Sequence, residues 1–256
     1  VVFRSASTDL GGAGDVNGHV DAFRWTTGGV TRITDSSADV VSPLVSADGS
    51  TVVFGGPESL TVPGGSTRTE TLEWLVAAPA SITLLAAVGP NGSAPTAISG
   101  TGDRVLLAEP GRLSVYNGTT ATEIAGAPAS PPPPEVTTFA VAPDAFDDDG
   151  DVVFAEITYS LDSVTGVLTF GSGTAKRWDS QTATVSTLGL TGSPAGPVQS
   201  ADGLHVVYTD MANVAIDQDN ANAYLRGAIR SFDTTSSSTV AVASAAQAIF
   251  GTVSAD

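Results

Sequence analysis

The stretch Ser46-Ala47-Asp48-Gly49-Ser50-Thr51-Val52-Val53-Phe54 decides the fold of this 256-residue sequence, because weaker copies of it recur along the whole chain. Its Asp-Gly pair tolerates positive φ and suits a hairpin turn, and the apolar residues that follow read as a strand. Successive copies of the apolar triplet begin 51, 53, 47 and 54 residues apart. The triplets are Val1-Val2-Phe3, Val52-Val53-Phe54, Val105-Leu106-Leu107, Val152-Val153-Phe154 and Val206-Val207-Tyr208. This regular spacing predicts a repeat protein with about five units.

The repeat units fit strands rather than helices. They are rich in Val, Thr and Phe, turn signals come about every ten residues, and no long apolar stripe has a helical period. A period near 50 residues with several short strands is typical of a propeller blade of four strands. We therefore predict an all-β protein, a β-propeller with five four-stranded blades.

The two ends of the sequence match neighbouring parts of one repeat. The chain finishes on Ser254-Ala255-Asp256, which repeats the turn Ser46-Ala47-Asp48, and it begins with the triplet that follows such a turn. We expect the last residues to form the innermost strand of the first blade, a velcro closure that ties both termini into one sheet. Because the chain begins within a strand, we also expect an upstream segment, where a secretion signal would lie. The single predicted domain, 1–256, has blades at about 248–256 with 1–34, then 40–87, 94–125, 135–188 and 197–242.

Composition limits the partners. The net charge is −17, with 27 acidic residues against 10 basic ones, which argues against nucleic acid or an anionic membrane surface. There is no cysteine for a disulfide framework and no apolar run long enough to span a bilayer. We expect a monomer that neither binds nucleic acid nor inserts into a membrane.

A second repeated column ends the predicted third strand of a blade with a large residue followed by a small polar turn. The examples are Trp25-Thr26-Thr27-Gly28, Tyr116-Asn117-Gly118-Thr119, Trp178-Asp179-Ser180-Gln181 and Phe232-Asp233-Thr234-Thr235. An aromatic residue in a repeated column is explained by the fold, so we predict packing residues rather than ligand-stacking ones.

These two columns resemble the TolB-type propeller repeats of bacterial envelope proteins. In such repeats a strand opens after Ser-x-Asp-Gly, and a later strand ends in an aromatic residue, Asp and a Thr/Gly-rich turn. Here the resemblance rests on 46–54 with 25–32, and on 200–208 with 232–239. It implies a propeller and an extracytoplasmic location, whether secreted, periplasmic or at the cell surface. It does not select a function, because the same repeat occurs in colicin-translocation proteins, peptidases and uncharacterised secreted proteins.

Two loops carry candidate metal ligands, on the face where propellers usually bind. The first reads D-x-N-G-x-x-D and offers Asp15, Asn17 and Asp21, oxygen donors around a glycine turn that suit calcium. It resembles a loop of TolB-type repeats and lacks the closing glutamate of an EF-hand. The second offers Asp217, Asp219 and Asn222 but has alanine where the first has Asp21. The alternative for either loop is an Asx turn that starts a strand.

A third acidic cluster lies on the predicted opposite face, at Asp144 and 147–151. We interpret it as a solvated acidic turn rather than a metal site.

The predicted innermost strands contain no Asp or Glu, which disfavours a hydrolase that uses a pair of carboxylates. His19 and His205 are the only possible imidazole bases, and neither adjoins a serine elbow. We therefore predict no catalytic residue. The central channel is expected to be lined by Ser42, Thr96, Thr138, Gln199 and Thr252 and to hold water, an ion or a small polar ligand.

The sequence favours an extracytoplasmic binding or interaction module, for a protein or a small polar ligand, with calcium as a structural cofactor. A carbohydrate-active or other hydrolytic propeller enzyme, or the accessory domain of a larger secreted enzyme, is the alternative. A spacer in a larger surface protein is a third possibility.

Overall fold

A computed structural model describes residues 1–10, 17–36, 39–56, 60–61, 73–78, 81–84, 94–109, 111–126, 135–161, 168–211 and 228–244. Throughout these ranges the secondary structure consists of β-strands and turns, which confirms the prediction of an all-β protein. The same residues include no helix long and apolar enough to cross a membrane.

The strands follow one another at short intervals. The first half of the chain contains β1 (Val2–Ser5), β2 (Asp21–Thr26), β3 (Gly29–Arg32), β4 (Asp35–Ser36), β5 (Val41–Val45), β6 (Val52–Gly56), β7 (Leu60–Thr61), β8 (Glu73–Ala78), β9 (Ser81–Leu84), β10 (Ala94–Ile98) and β11 (Val105–Glu109). The second half contains β12 (Arg112–Tyr116), β13 (Ala121–Gly126), β14 (Glu135–Ala140), β15 (Val152–Leu161), β16 (Leu168–Asp179), β17 (Thr184–Thr187), β18 (Pro194–Gln199), β19 (His205–Asp210), β20 (Ala228–Asp233) and β21 (Ser238–Ser244).

Each main sheet joins strands in the order in which the chain supplies them, as a propeller blade does. The first sheet is β1-β2-β3, the second β5-β6-β8-β9, the third β10-β11-β12-β13, the fourth β14-β15-β16-β17 and the fifth β18-β19-β20-β21. A short pair, β4-β7, stands apart from them. The strand expected at about 248–254 to complete the first sheet lies outside the described residues, so the blade count of five and the closure of the ring stay predictions.

The chain divides into two compact units. The first comprises Val1–Glu109 and Val115–Thr122, and the second comprises Pro110–Ser114 and Glu123–Asp256. In the first unit Ala22, Val40, Val52 and Phe54 form a buried cluster. In the second unit the equivalent cluster is Val153, Val206, Tyr208 and Phe232.

Three of the five repeated triplets, at 52–54, 105–107 and 152–154, are buried at every position, whereas Val1 of the first triplet is 73% exposed. All three side chains of Val52-Val53-Phe54 are fully buried, and so are all three of Val152-Val153-Phe154. A continuous apolar run of this kind is typical of a strand covered on both faces. These three triplets are therefore core residues.

The turns before these strands share one backbone design. In each a glycine with φ near +70°, in the left-handed region that glycine tolerates, donates its N–H to the carbonyl three residues earlier. The four bonds are Gly49 to Ser46 (2.9 Å), Gly102 to Ser99 (3.0 Å), Gly150 to Asp147 (3.0 Å) and Gly203 to Ser200 (2.9 Å). The turn chemistry predicted from Asp48-Gly49 is thus present in all four complete sheets.

Neighbouring turns are joined by backbone hydrogen bonds. In the first unit Asp48 N donates to Gly100 O of the third sheet at 3.2 Å, and in the second unit Asp148 N donates to Ala201 O of the fifth sheet at 2.7 Å. Each bond links the turn of one sheet to the turn of the next sheet along the chain.

The aromatic column packs as expected at three of its four positions. Tyr116, Trp178 and Phe232 are buried, whereas Trp25 is 49% exposed. The prediction of a packed residue was therefore wrong for Trp25, whose sheet has three strands among the described residues.

The polar residue after each buried aromatic caps the next turn. Asp179 Oδ1 accepts bonds from the backbone N–H groups of Gln181 (2.9 Å) and Thr182 (2.8 Å). Asp233 Oδ1 accepts the equivalent pair from Thr235 and Ser236. These backbone donors hold the pKa of both carboxyl groups below its usual value.

Candidate functional site

Two of the three residues predicted as ligands in the first loop are in contact. Asn17 Nδ2 donates to Asp21 Oδ2 at 2.9 Å, while Asn17 Oδ1 accepts the backbone N–H of His19 at 2.8 Å and forms an Asx turn. Gly18 inside that turn has a φ of +74°. Asp15, the third predicted ligand, lies outside the described residues.

Asp21 is fully buried at the start of β2 and has a dense set of donors. Thr34 Oγ1 donates to Asp21 Oδ1 at 2.7 Å and itself accepts the backbone N–H of Ala22 at 2.9 Å. Arg32 Nη1 lies 3.9 Å from Asp21 Oδ2. A buried carboxylate is stable only with such partners, so Asp21 anchors the loop to the sheet.

Asp35, which the sequence did not single out, belongs to the same network. Asn17 Nδ2 also donates to Asp35 Oδ1 at 3.1 Å, and Arg32 Nη2 pairs with Asp35 Oδ2 at 3.2 Å. One amide group therefore bridges two carboxylates, Asp21 and Asp35. The local signal for Asp35 was weak, because it precedes no glycine turn.

A third carboxylate, Asp39, joins the two loops at this edge of the first sheet. Its Oδ1 accepts the backbone N–H of Val20 at 3.0 Å and lies 3.6 Å from His19 Nδ1. The backbone N–H of Val40 donates to Val20 O at 2.8 Å. The loop before β2 and the connection that leads to the second sheet thus lie side by side. We call Asn17, Asp21, Arg32, Asp35 and Asp39 the loop-edge cluster.

The donor chemistry of the loop-edge cluster suits a hard cation in part. Arg32 pairs with two of the three carboxylates, Asp21 and Asp35, and carboxylate oxygens are the ligands that calcium prefers. Asn17, however, turns its nitrogen rather than its oxygen toward both carboxylates. Among the described residues, no group of three or more His, Asp and Glu side chains is arranged to hold a metal ion. Asn17 thus positions the two carboxylates with its nitrogen, its oxygen accepts the His19 N–H, and its role as a metal ligand stays a prediction.

The ligands predicted in the second loop, Asp217, Asp219 and Asn222, lie outside the described residues. At the base of that loop Asp210 is buried, and Arg230 Nε donates to its Oδ2 at 2.7 Å. The backbone N–H of Ser193 donates to Asp210 Oδ1 at 3.0 Å. A buried aspartate beside an arginine therefore flanks this loop, as Asp21 beside Arg32 flanks the first one.

The acidic turn of the fourth sheet is not solvated throughout, contrary to what the sequence had suggested. Asp147 and Asp151 are only 4% and 8% exposed, and Arg177 Nη2 pairs with both, at 2.8 Å and 2.9 Å. Asp151 Oδ1 also accepts the backbone N–H of Ser180 at 2.9 Å. Burial raises the pKa of Asp147 to about 6. Asp144, Asp148 and Asp149 are exposed, so the interpretation as a solvated turn was wrong for the two carboxylates that bind Arg177.

The five residues predicted to line a channel have different surroundings. Gln199 is buried, and its Nε2 donates to the backbone oxygens of Ala145 and Asp151, both at 2.8 Å. Thr96 is half-buried and donates to Leu106 O at 3.3 Å, and Thr138 is exposed on β14. Ser42 lies in β5, but its side chain, like the whole of Thr252, lies outside the described residues. Gln199 thus holds backbone oxygens, and a channel lined by the five residues stays a prediction.

Comparisons with known proteins give no family for this chain. No family model matches the sequence, and no curated protein matches it.

Several solved structures are similar to parts of the fold. A putative TolB from Agrobacterium tumefaciens has 13% sequence identity and a TM-score of 0.32, with 83% of each chain covered. A puromycin hydrolase mutant complexed with PGG has 15% identity and a TM-score of 0.44, over 93% of this chain and 39% of that one. An oligogalacturonate lyase in complex with manganese has 10% identity and a TM-score of 0.31, over 95% and 84%. At these identities and TM-scores, the similarities assign neither a family nor an activity, and the TolB-type resemblance of the repeats stays a prediction.

Proposed function

We propose that this chain is an extracytoplasmic binding module of the β-propeller type, whose loop-edge cluster binds a structural calcium ion and orders the loops that present a protein or a small polar ligand. The ring of five blades, closed by the last residues beside β1, belongs to the same proposal. The observation that carries it is the buried Asp21, which shares the amide of Asn17 with Asp35 at the edge where two loops meet.

Charge supports a cation at this edge. Asp21, Asp35 and Asp39 carry three negative charges, and Arg32 supplies one positive charge among the cluster residues. Carboxylates that lie close together repel one another unless a cation or proton compensates them. A cation held by Asp21, Asp35 and Asp15, which the sequence places two residues before Asn17, would relieve that repulsion, with Asn17 keeping Asp21 and Asp35 in position. The bound ion would supply only rigidity.

Loop order matters for binding because a preorganised loop loses less entropy when it meets a ligand. The connection that carries Asp35 and Asp39 is fixed to the loop before β2 by the Val40 to Val20 backbone bond. An ion at the cluster would therefore order both loops together.

A thermal melt with excess calcium and then with chelator tests the proposal. A ligand that binds only the folded state raises the melting temperature. We expect calcium to raise the Tm of the parent protein and to have no effect on Asp35→Asn or Asp15→Ala. Asp35 is about 42% exposed, so its replacement leaves the core intact.

Asp148→Asn is the matched control, because it removes one exposed carboxylate from a turn in the second unit. We expect this variant to keep the full calcium response. A parent protein without any response, or a response that Asp35→Asn and Asp15→Ala leave unchanged, would rule the site out.

A further inference from the structure

Asp147, Asp151 and Arg177, which we call the acid clamp, bury more negative than positive charge. The side chains of Asp147 and Asp151 are 1% and 11% exposed, and that of Arg177 is 23% exposed. Two carboxylates against one guanidinium leave an excess of one negative charge in surroundings with little water. Burying an uncompensated charge is costly, and a bound proton removes that cost.

The acid clamp lies directly against the turn of the fifth sheet. Arg177 Nη1 donates to Gly203 O at 3.1 Å, beside the backbone bond from Asp148 N to Ala201 O. A Cβ atom on Gly203 would lie 2.6 Å from Asp147 Oδ2 and 2.7 Å from Arg177 Nη2. A change in the charge of the clamp should therefore change the strength of the contact between the turns of the fourth and fifth sheets.

We propose that the acid clamp takes up one proton in mildly acidic conditions and that this proton strengthens the contact between the turns of the fourth and fifth sheets. The device would make the second unit more stable in an acidic compartment than at neutral pH. It is independent of calcium and of the loop-edge cluster.

The direction of the effect follows from burial. Desolvation is the main cause that raises the pKa of Asp147 from its ordinary 3.8 to about 6, and the neighbouring Asp151 carboxylate adds to the rise. The hydrogen bond from Asp151 N and the charge of Arg177 oppose it. The folded protein therefore binds a proton more tightly than the unfolded chain does between about pH 4 and pH 6, so the free energy of unfolding falls as the pH rises through that window.

Two acids close to the clamp change the pH dependence in the opposite direction. Asp179, close to Arg177, and Asp202, on the turn of the fifth sheet, have pKa values held low by hydrogen bonds. Their protons are lost at more acidic pH, and they stabilise the fold in the opposite direction. The other titratable groups on the clamp's own turn, at the end of β16, on the packed turn of the fifth sheet and at the start of β19 are Asp148, Asp149, Asp179, Asp202 and His205. Imidazole groups also gain protons near neutrality, so His205 needs a control of its own.

Unfolding of the parent and of Asp147→Asn, measured at about pH 5 and about pH 7.5, tests the proposal. Asparagine copies the shape of a protonated aspartate and still accepts the bond from Asp151 N. We expect the parent Tm to fall between the two pH values and the variant Tm to change much less. At the higher pH the variant should be at least as stable as the parent. Asp148→Asn and His205→Gln should keep the pH profile of the parent.

Two measurements on the parent protein keep the test decisive if the variant fails to fold. Carboxyl NMR should show Asp147 titrating well above the other aspartates. Hydrogen-exchange protection of the Asp148 N–H, corrected for intrinsic rates, should decrease as the pH rises through about 6. A parental pH profile in Asp147→Asn, or an Asp147 carboxyl that titrates at an ordinary value, would overturn the proposal.

Discussion

The turn at 46–51 and the turn at 147–151 perform the same task with different chemistry. In the first, Ser46 Oγ accepts the backbone N–H of Thr51 at 3.0 Å; in the second, Asp147 Oδ1 accepts that of Asp151 at 2.8 Å. Ser99 and Ser200 do what Ser46 does in the third and fifth sheets. The repeat therefore places a hydrogen-bond acceptor at the same point of each turn, but the acceptor is a neutral serine in three turns and a carboxylate in the fourth-sheet turn.

The charge decides what surrounds each turn. Ser46 is buried without a charge, and it donates to the exposed Asp48 at 2.6 Å, which lowers the pKa of that carboxyl. Asp147 is buried with a charge, and Arg177 from β16 compensates it only in part. The serine turn closes with local partners, whereas the aspartate turn depends on a side chain from another strand.

Arg177→Met should cause the largest loss of stability, because only the aspartate turn depends on this arginine. It leaves two buried carboxylates without their cation, which typically destabilises a protein by about 3–5 kcal/mol. Arg112→Met is the control, because Arg112 and Glu123 form an ion pair in which both side chains are about half exposed, and its loss should cost less than about 1 kcal/mol. Urea unfolding of both variants at neutral pH measures the two losses. Equal losses would show that the acid clamp is no more important than a surface pair.

Replacing the turn glycines by alanine should cost different amounts of stability at the serine turn and beside the acid clamp. Gly49 and Gly203 both have positive φ, so alanine costs about 1 kcal/mol at either position. Open space surrounds Gly49, but a Cβ on Gly203 would strike the acid clamp, which should raise the cost of Gly203→Ala to about 2–3 kcal/mol. Thermal unfolding of the two variants compares them. A Gly203→Ala variant as stable as Gly49→Ala would contradict close packing of the fifth-sheet turn on the clamp.

Ser46→Ala should have the smallest effect. It removes the acceptor of the Thr51 N–H in a buried turn, for an expected loss of about 1–2 kcal/mol without a change in the pH profile. Ser50→Ala, in the same turn but turned toward the exposed Asp48, should lie within about 0.5 kcal/mol of the parent. Chemical unfolding at two pH values is the measurement. A pH-dependent loss in Ser46→Ala would remove the distinction between the two turns.

Local signals predicted the strands well. The apolar triplets after glycine turns correctly predicted β6, β11, β15 and β19, because a short apolar run that follows such a turn favours a buried strand. The fourth-sheet hairpin extends beyond the residues that show a strand pattern. That pattern is recognisable over 151–157 and 173–178, yet the two strands pair from Val152 with Trp178 out to Leu161 with Leu168. Antiparallel pairing extends both strands beyond the residues that show the pattern.

The polar clusters were predicted less well, because their partners are distant in sequence. Arg177 lies 30 residues from Asp147, and Arg32 lies 11 residues after the aspartate it approaches. Nothing in the run 147–151 distinguishes the buried carboxylates from the exposed ones. Only the fold brings the arginine to two of them.

The backbone bonds between successive turns explain how repeats so unlike in sequence keep one architecture. Asp48 N to Gly100 O and Asp148 N to Ala201 O use atoms that every residue except proline provides. A gene duplication that copies one sheet would carry its attachment point with it, and later drift in the side chains would leave that attachment intact. Proline at position 48 or 148 would remove the N–H that makes this bond, so we expect it to be the substitution that these turns do not tolerate.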